Sequence, residues 1–155
     1  MLALFISITT ALSGFAEVPF LTPPKAIEKM TFPDGFSVNT FAAEPDVIQP
    51  FAFCFDARGR IWVAENLNYK SRRSDTFKQG PKGRIIILED TDGDGVFNTR
   101  KVFKEEIFFP SGLSVGFGGV WVGSPPNLLF IPDRNGDDVP DGEPEIVLDG
   151  WGRHD

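Results

Sequence analysis

Apolar and polar residues alternate along short stretches of this chain, as they do in half-buried β-strands. The stretch "FSVNTF" (36–41) alternates, and "FAFCFDARGRIWVAE" (51–65) consists of two apolar runs joined by an "ARG" turn. Two such runs around a short turn predict a β-hairpin. The stretch "GRIIILED" (83–90) is a continuous β-branched run, typical of a strand buried on both faces. We expect "NTRKVF" (98–103) to return antiparallel to it.

The same series of strands then restarts, in the stretches "SGLSVGFGGVWVGS" (111–124), "NLLFIPD" (127–133) and "PEIVLDG" (144–150). When the two halves are aligned, Trp121 falls on Trp62, and Asp133 falls on Asp90. Each unit therefore consists of strand, turn, strand, connection, strand, aspartate loop and strand. The first unit is longer by its basic connection, residues 66–82. We interpret this connection as a solvated loop or, alternatively, as a lid or a docking surface for an acidic partner.

Four antiparallel strands with a period of about 40 to 60 residues are typical of propeller blades. The sequence thus predicts an all-β fold with about two four-stranded antiparallel blades, over residues 51–103 and 110–148 of a partial β-propeller spanning 36–155. A closed propeller needs at least about four blades. We therefore expect the chain to be the N-terminal part of a longer protein.

The N-terminus resembles an export signal. Residues 1–16 have the apolar stretch and the small residues, Gly14 and Ala16, of a secretory signal peptide. They contain no Lys or Arg, so a buried hydrophobic segment is the alternative. Residues 17–35 form a Pro-rich lead-in, in which "PPKAIEKM" (23–30) predicts one or two helical turns. We expect a periplasmic or cell-surface protein, with membrane association only through parts outside this chain.

Composition and charge limit the kind of fold and the classes of partner that we expect for the chain. Hydrophobic residues make up 41% of the chain and charged residues 24%, which suits a packed core. The net charge is −7 and no basic stripe is present, which excludes nucleic acid as the expected partner. The single cysteine, Cys54, lies between phenylalanines and is interpreted as a buried thiol. With one cysteine, the chain has no internal disulfide framework.

Two aspartate loops are the candidate metal sites. The first matches the start of a calcium-binding loop, with candidate ligands Asp90, Asp92, Asp94, the carbonyl of Val96, and Asn98. The second offers the same places to Asp133, Asn135, Asp137, the carbonyl of Val139, and Asp141. Lys101 replaces the bidentate Glu at the end of the first loop, and Asp138 stands where Gly is wanted in the second. We expect weak calcium binding, and a solvated hairpin is the alternative because Asp-Gly pairs form turns by themselves.

The second strand of each unit ends in polar residues. Glu65 and Asn66 follow "IWVA", and Ser124 follows "VWVG". In a propeller the innermost strand ends at the central channel, so these residues are candidates to face it, and Arg153 and His154 could join the channel mouth. The alternatives are a strand end that bonds its own loop and a solvated C-terminal histidine.

Several long motifs, in order, resemble one known family. These are "GFSVNTFAAEPDVIQPFAFCFDARGRIWVAEN", "ILEDTDGDGVFN" and "PSGLSVGFGGVWVGSPPNLLFIPDRNGDDVPDGEPEIVLDGWGRHD". They are similar to the N-terminal propeller of the membrane-bound dehydrogenases, also called PVC-type haem-binding CxxCH proteins. More distantly, the propeller resembles six-bladed soluble glucose/sorbosone dehydrogenases that use pyrroloquinoline quinone (PQQ).

The resemblance implies that the parent protein is a quinoprotein that oxidises a sugar or an alcohol. It also implies a downstream cytochrome-like module as the electron acceptor, and a catalytic histidine beyond Asp155. The chain has no C-x-x-C-H motif, so we expect it to bind no haem and to be inactive alone. The alternative is a non-catalytic, calcium-stabilised propeller that binds glycans or proteins.

Overall fold

The strands of this chain form two antiparallel sheets. The structure, a computed structural model, describes residues 20–67 and 83–151. In chain order the elements are α1 (Pro23–Ile27), β1 (Pro50–Phe55), β2 (Ile61–Glu65), β3 (Gly83–Glu89), β4 (Thr99–Ile107), β5 (Gly112–Val115), β6 (Gly119–Ser124), β7 (Asn127–Pro132) and β8 (Glu145–Leu148). The predicted signal peptide, residues 68–82 of the basic connection, and Arg153 and His154 lie outside the described residues.

Each sheet has four strands in sequence order, β1-β2-β3-β4 and β5-β6-β7-β8, and every neighbouring pair is antiparallel. This confirms the prediction of an all-β chain with two four-stranded units. The "ARG" turn is closed by Asp56, whose carboxylate accepts hydrogen bonds from the Arg58 and Arg60 amides at 2.9 and 3.0 Å. Gly59 takes a φ of 80° there, a conformation that glycine adopts without steric cost.

One predicted strand is wrong. Residues 36–41 alternate in polarity but form no strand. Their backbone lies beside the first aspartate loop, where the Phe41 carbonyl accepts a hydrogen bond from the Phe97 amide at 3.2 Å. Alternation gives a segment the side-chain pattern of a strand, but a strand also needs a neighbouring backbone along its length.

The main core lies between the two sheets. The first sheet contributes Trp62, Ala64, Ile85, Ile87, Phe103 and Ile107, and the second contributes Val120, Val122 and Ile131. The Trp62 and Phe103 rings meet edge to face, with centroids 5.0 Å apart. Cys54 is half-buried and packs against this core, and burial raises the pKa of its thiol. A second, smaller core lies on the other face of the first sheet and contains Val63, Ile86 and Leu88.

The first strands of the two sheets, β1 and β5, lie against each other. Both sheets therefore run outward in the same strand order from a shared edge, as neighbouring propeller blades do. The two aspartate loops, which connect β3 to β4 and β7 to β8, lie in the outer hairpins. The described residues contain no helix with the length and apolar character needed to span a membrane.

Candidate functional site

The first aspartate loop gathers three carboxylates. One oxygen each of Asp90, Asp92 and Asp94 lies within 4.8 Å of the other two. The backbone folds around Asp90, whose two oxygens accept hydrogen bonds from the Gly93 and Gly95 amides at 2.7 and 2.8 Å. The hydrogen bond from Gly95 is the main cause that lowers the pKa of Asp90, so this carboxylate stays charged. Three negative charges this close, one half-buried and two exposed, repel one another, and a bound cation would relieve that repulsion.

The other residues predicted as ligands in this loop have different contacts. The side-chain oxygen of Asn98 accepts hydrogen bonds from the Thr91 amide and hydroxyl at 3.1 and 2.9 Å. The Val96 amide donates to Asp94 at 2.8 Å, and the Val96 side chain is exposed. Lys101, at the place of the final calcium ligand, reaches across to the second loop and donates to the Asp137 carbonyl at 2.9 Å. The loop therefore offers a cation three carboxylates and no carboxylate at its last position.

The second aspartate loop is organised differently. The oxygens of Asp133 accept hydrogen bonds from the Asp137 and Asp138 amides, both at 3.2 Å. Asp141 accepts from the Arg134 amide at 2.6 Å, and Asn135 donates to the Asp137 carboxylate at 2.9 Å. The Val139 amide donates to Asp137 at 2.9 Å. Within residues 20–67 and 83–151, three carboxylates converge at the first loop and not at the second.

The second loop is held instead by a cluster of charges between the sheets. Arg60 donates two hydrogen bonds to the carboxylate of Asp138, at 2.6 and 2.7 Å, and Arg58 donates a third at 2.9 Å. Asp56 accepts from the Arg60 guanidinium at 2.8 Å and from the Trp62 indole at 3.0 Å. We call Asp56, Arg58, Arg60 and Asp138 the inter-sheet clamp. Sequence reasoning missed this clamp, although Asp138 at the glycine position was the available signal.

The carboxylates and the guanidinium groups of the clamp stabilise one another in their charged forms. The hydrogen bonds from Arg60 lower the pKa of Asp138, and the nearby positive charges of Arg58 and Lys101 add to the effect. Burial alone would raise the pKa of Asp56, but the hydrogen bonds from Trp62, Arg60 and the turn backbone bring it below its ordinary value. The same contact with Asp138 raises the pKa of Arg60. Both carboxylates are therefore ionised at neutral pH.

The predicted channel-facing residues at the ends of β2 and β6 are buried. Glu65 has no exposed surface, accepts a hydrogen bond from the Ile48 amide at 2.6 Å and pairs with Arg84. Asn66 is likewise fully buried, and Ser124 donates its hydroxyl to the Phe108 carbonyl. The described contacts of Glu65 and Ser124 thus lie within the chain. Their orientation toward a channel stays a prediction.

Residues 22–155 match the family model of a domain of unknown function, DUF7133. The match spans both sheets, both aspartate loops and the inter-sheet clamp. No curated protein and no solved structure matches the chain.

Proposed function

We propose a function for this chain on the premise that it belongs to the DUF7133 family, a family of unknown function. The chain supplies two adjacent blades of an exported β-propeller of the quinoprotein-dehydrogenase type. The whole protein oxidises a sugar or an alcohol and passes the electrons to a haem module. The observation that carries the propeller is the pair of sheets with the same strand order and with first strands side by side. The oxidation reaction is supported by the resemblance of the motifs.

Within that protein, these blades have a structural task. The clamp and the shared core fix the angle between two sheets, and that angle determines whether a ring can close around a ligand. Two blades enclose no channel, so the chain alone turns over no substrate. PQQ would supply the two-electron chemistry when bound elsewhere in the ring. Glu65 and Ser124 bond within the chain, so we assign neither of them a contact with the quinone.

A dye-reduction assay tests the dehydrogenase. The whole protein is supplied with PQQ and calcium and offered a panel of sugars and alcohols, with reduction of an artificial electron acceptor as the readout. We expect turnover of at least one substrate, dependent on added quinone. The matched control is the same protein without quinone. Absence of turnover across the panel, in protein that retains its β-sheet circular dichroism, would contradict the proposal.

A second candidate function is a calcium-stabilised binding propeller without turnover, and the convergence of Asp90, Asp92 and Asp94 favours it. Lys101 replaces the final carboxylate of a calcium loop. We therefore expect weak affinity, with a dissociation constant of about 10⁻⁴ to 10⁻³ M as in extracellular modules.

Isothermal titration of this chain with Ca²⁺ tests the site. We expect heat at millimolar calcium, abolished by the double substitution Asp92→Asn and Asp94→Asn. Asp34→Asn, which removes an exposed carboxylate far from the loop in sequence, should leave the heat unchanged. No heat with the unaltered chain, or heat that survives the double substitution, would rule out calcium at the first loop.

A further inference from the structure

The second aspartate loop contains the one Asn-Gly dipeptide of the chain, Asn135–Gly136. Both residues are exposed and lie between β7 and β8, outside the strands. Glycine has no side chain to crowd its own backbone nitrogen, so in an Asn-Gly pair this nitrogen can reach the side-chain carbonyl carbon of the asparagine. A five-membered ring then forms, and the asparagine loses its amide group. Among the asparagines of the sequence, Asn135 meets the least steric resistance to this reaction.

The nitrogen that attacks is free to react. Within residues 20–67 and 83–151, the Gly136 amide donates no hydrogen bond. The amide at the aligned position of the first loop, Gly93, donates to Asp90 at 2.7 Å. Gly136 adopts a φ of 69°, and a Cβ built on it would meet nothing within 4 Å. Neither a hydrogen bond nor tight packing among these residues therefore holds Gly136 in place.

The carbonyl group that is attacked is polarised. The side-chain oxygen of Asn135 accepts a hydrogen bond from the Asp137 amide at 3.2 Å. Negative charge develops on this oxygen when the carbonyl carbon becomes tetrahedral, and a donor that is already in place stabilises that charge. The side-chain nitrogen of Asn135, which leaves, donates to the Asp137 carboxylate at 2.9 Å. Both contacts are with the residue that follows Gly136, so the side-chain amide is directed along the chain toward the attacking nitrogen.

We propose that Asn135 is a site of spontaneous deamidation in the folded chain, with the unbonded amide of Gly136 as the nucleophile. The Gly136 nitrogen gives its proton to the solvent and forms a bond to the side-chain carbonyl carbon of Asn135. The bond between that carbon and the side-chain nitrogen breaks, and the nitrogen takes a proton from water and leaves as ammonia. Water then adds to one of the two carbonyl carbons of the ring, which opens to aspartate or isoaspartate. No electrons are transferred.

The modification adds one negative charge to a crowded part of the loop. An anionic oxygen replaces the nitrogen that donates to Asp137, so a hydrogen bond becomes a contact between like charges. Asn135 aligns with Asp92, so the aspartate product gives the second loop the same three carboxylates as the first. The repulsion arises one residue from Asp138 of the inter-sheet clamp. The reaction depends on neither function proposed above, since a chain without turnover and without bound calcium would still be modified.

Incubation of the full chain in water enriched in the heavy oxygen isotope tests the site. The buffer is mildly alkaline and contains a calcium chelator, and the protein is then digested in ordinary water and its peptides are fragmented in a mass spectrometer. Heavy oxygen enters residue 135 only if deamidation happens before digestion. We expect it there, in both aspartate and isoaspartate, with less at Asn98 and Asn127, which precede Thr and Leu. Circular dichroism establishes that the chain stays folded during the incubation.

Two substitutions change the reacting groups. Gly136→Ala places a side chain beside the nucleophile, and Asn135→Gln lengthens the side chain so that the ring would need six members. Each variant should lose most of the uptake of heavy oxygen at residue 135. Because alanine is strained at the φ of Gly136, Asn135→Gln provides the test if Gly136→Ala does not fold. Undiminished uptake in a folded variant overturns the proposed reaction.

Asp92→Asn is the matched control, since it builds the same dipeptide at the aligned position of the first loop. There the Gly93 amide is held by Asp90, so residue 92 should take up less heavy oxygen than Asn135 of the same chain. Uptake at Asn135 that does not exceed uptake at Asn98 and Asn127 overturns the proposal. Equal uptake at residues 92 and 135 also overturns it, because the unbonded amide of Gly136 would then not be what makes Asn135 reactive.

Discussion

At the scale of single residues, the two departures from a calcium-loop pattern have a common cause. Lys101, in β4 just after the first loop, donates to the Asp137 carbonyl, and Asp138, in the second loop, accepts from Arg60, so both residues make contacts between the two sheets. Asp138 adopts a φ of 64°, a conformation that Asp tolerates better than most residues. The sequence predicted where both loops lie. It could not predict the clamp, because Arg60 and Asp138 are distant in sequence and meet only when the sheets pack.

Replacing Asp138 with Asn should destabilise the fold. The substitution leaves the Arg60 guanidinium, which is 5% exposed, with a neutral partner in place of a charged one. Removing one member of a buried ion pair costs about 3 kcal/mol. Chemical denaturation monitored by circular dichroism measures the loss in free energy of unfolding.

The matched control is Glu143→Gln, which removes another acid that pairs with a base on the first sheet. Glu143 lies 3.3 Å from Lys104 and is 89% exposed, so the cost should stay below about 0.5 kcal/mol. Equal effects of the two substitutions would show that the clamp adds no more than a surface pair.

The clamp also predicts how stability depends on pH. The folded-state pKa values of Asp56 and Asp138 are lowered, so their contribution is fully present above the unfolded-state pKa of about 3.9. As the pH falls below about 5, the unfolded chain takes up protons first. The stabilisation that the two carboxylates provide then decreases as the pH falls, and it is gone once the pH is below their folded-state pKa values. Asp138→Asn should flatten this acid-side slope, and an unchanged slope would contradict the assignment.

At the scale of elements, turn residues were a more accurate guide to the strands than the alternation of apolar and polar residues. The "ARG" hairpin, the β-branched run of β3 and the restart at β5 and β6 are confirmed, because local residues decide them. The segment 36–41 also alternates, yet it forms no strand, and its Phe41 packs against the smaller core of the first sheet. Which neighbour pairs with a segment is decided by tertiary packing, and a single sequence does not contain that information in readable form.

The start of β6 depends on a close approach that only glycine allows. A Cβ on Gly119 would lie 2.6 Å from the Phe130 ring and would also collide with the Ile131 carbonyl. We expect Gly119→Ala to destabilise the fold by roughly 1–3 kcal/mol, as overpacking does. Gly142→Ala is the control, since its Cβ would meet nothing within 4 Å. Thermal unfolding of both variants provides the test, and an unaffected Gly119→Ala would mean that the two strands can separate at no cost.

At the scale of the whole molecule, the sequence predicted two units but not how they meet. The alignment of Trp62 with Trp121 revealed the repeat and showed which strands correspond in the two units, because strand order follows from chain order. Which faces of the two sheets meet follows from side-chain fit across the gap. The second core, on the other face of the first sheet, was also absent from the prediction, since Phe41 and Val47, which pack against it, lie in a segment without repeat equivalents.

Because the largest core is shared, the two sheets should unfold together. Ile131 belongs to the second sheet but has no exposed surface and packs within the core shared with the first. Ile131→Ala should cost roughly 2–5 kcal/mol, whereas Ile146→Ala, on the same sheet but 62% exposed, should cost little. Hydrogen exchange should then show β3 and β6 losing protection in one transition for the Ile131 variant. Loss of protection in β6 alone, with β3 unchanged, would mean that each sheet is stable without the other and that the clamp joins two independent folding units.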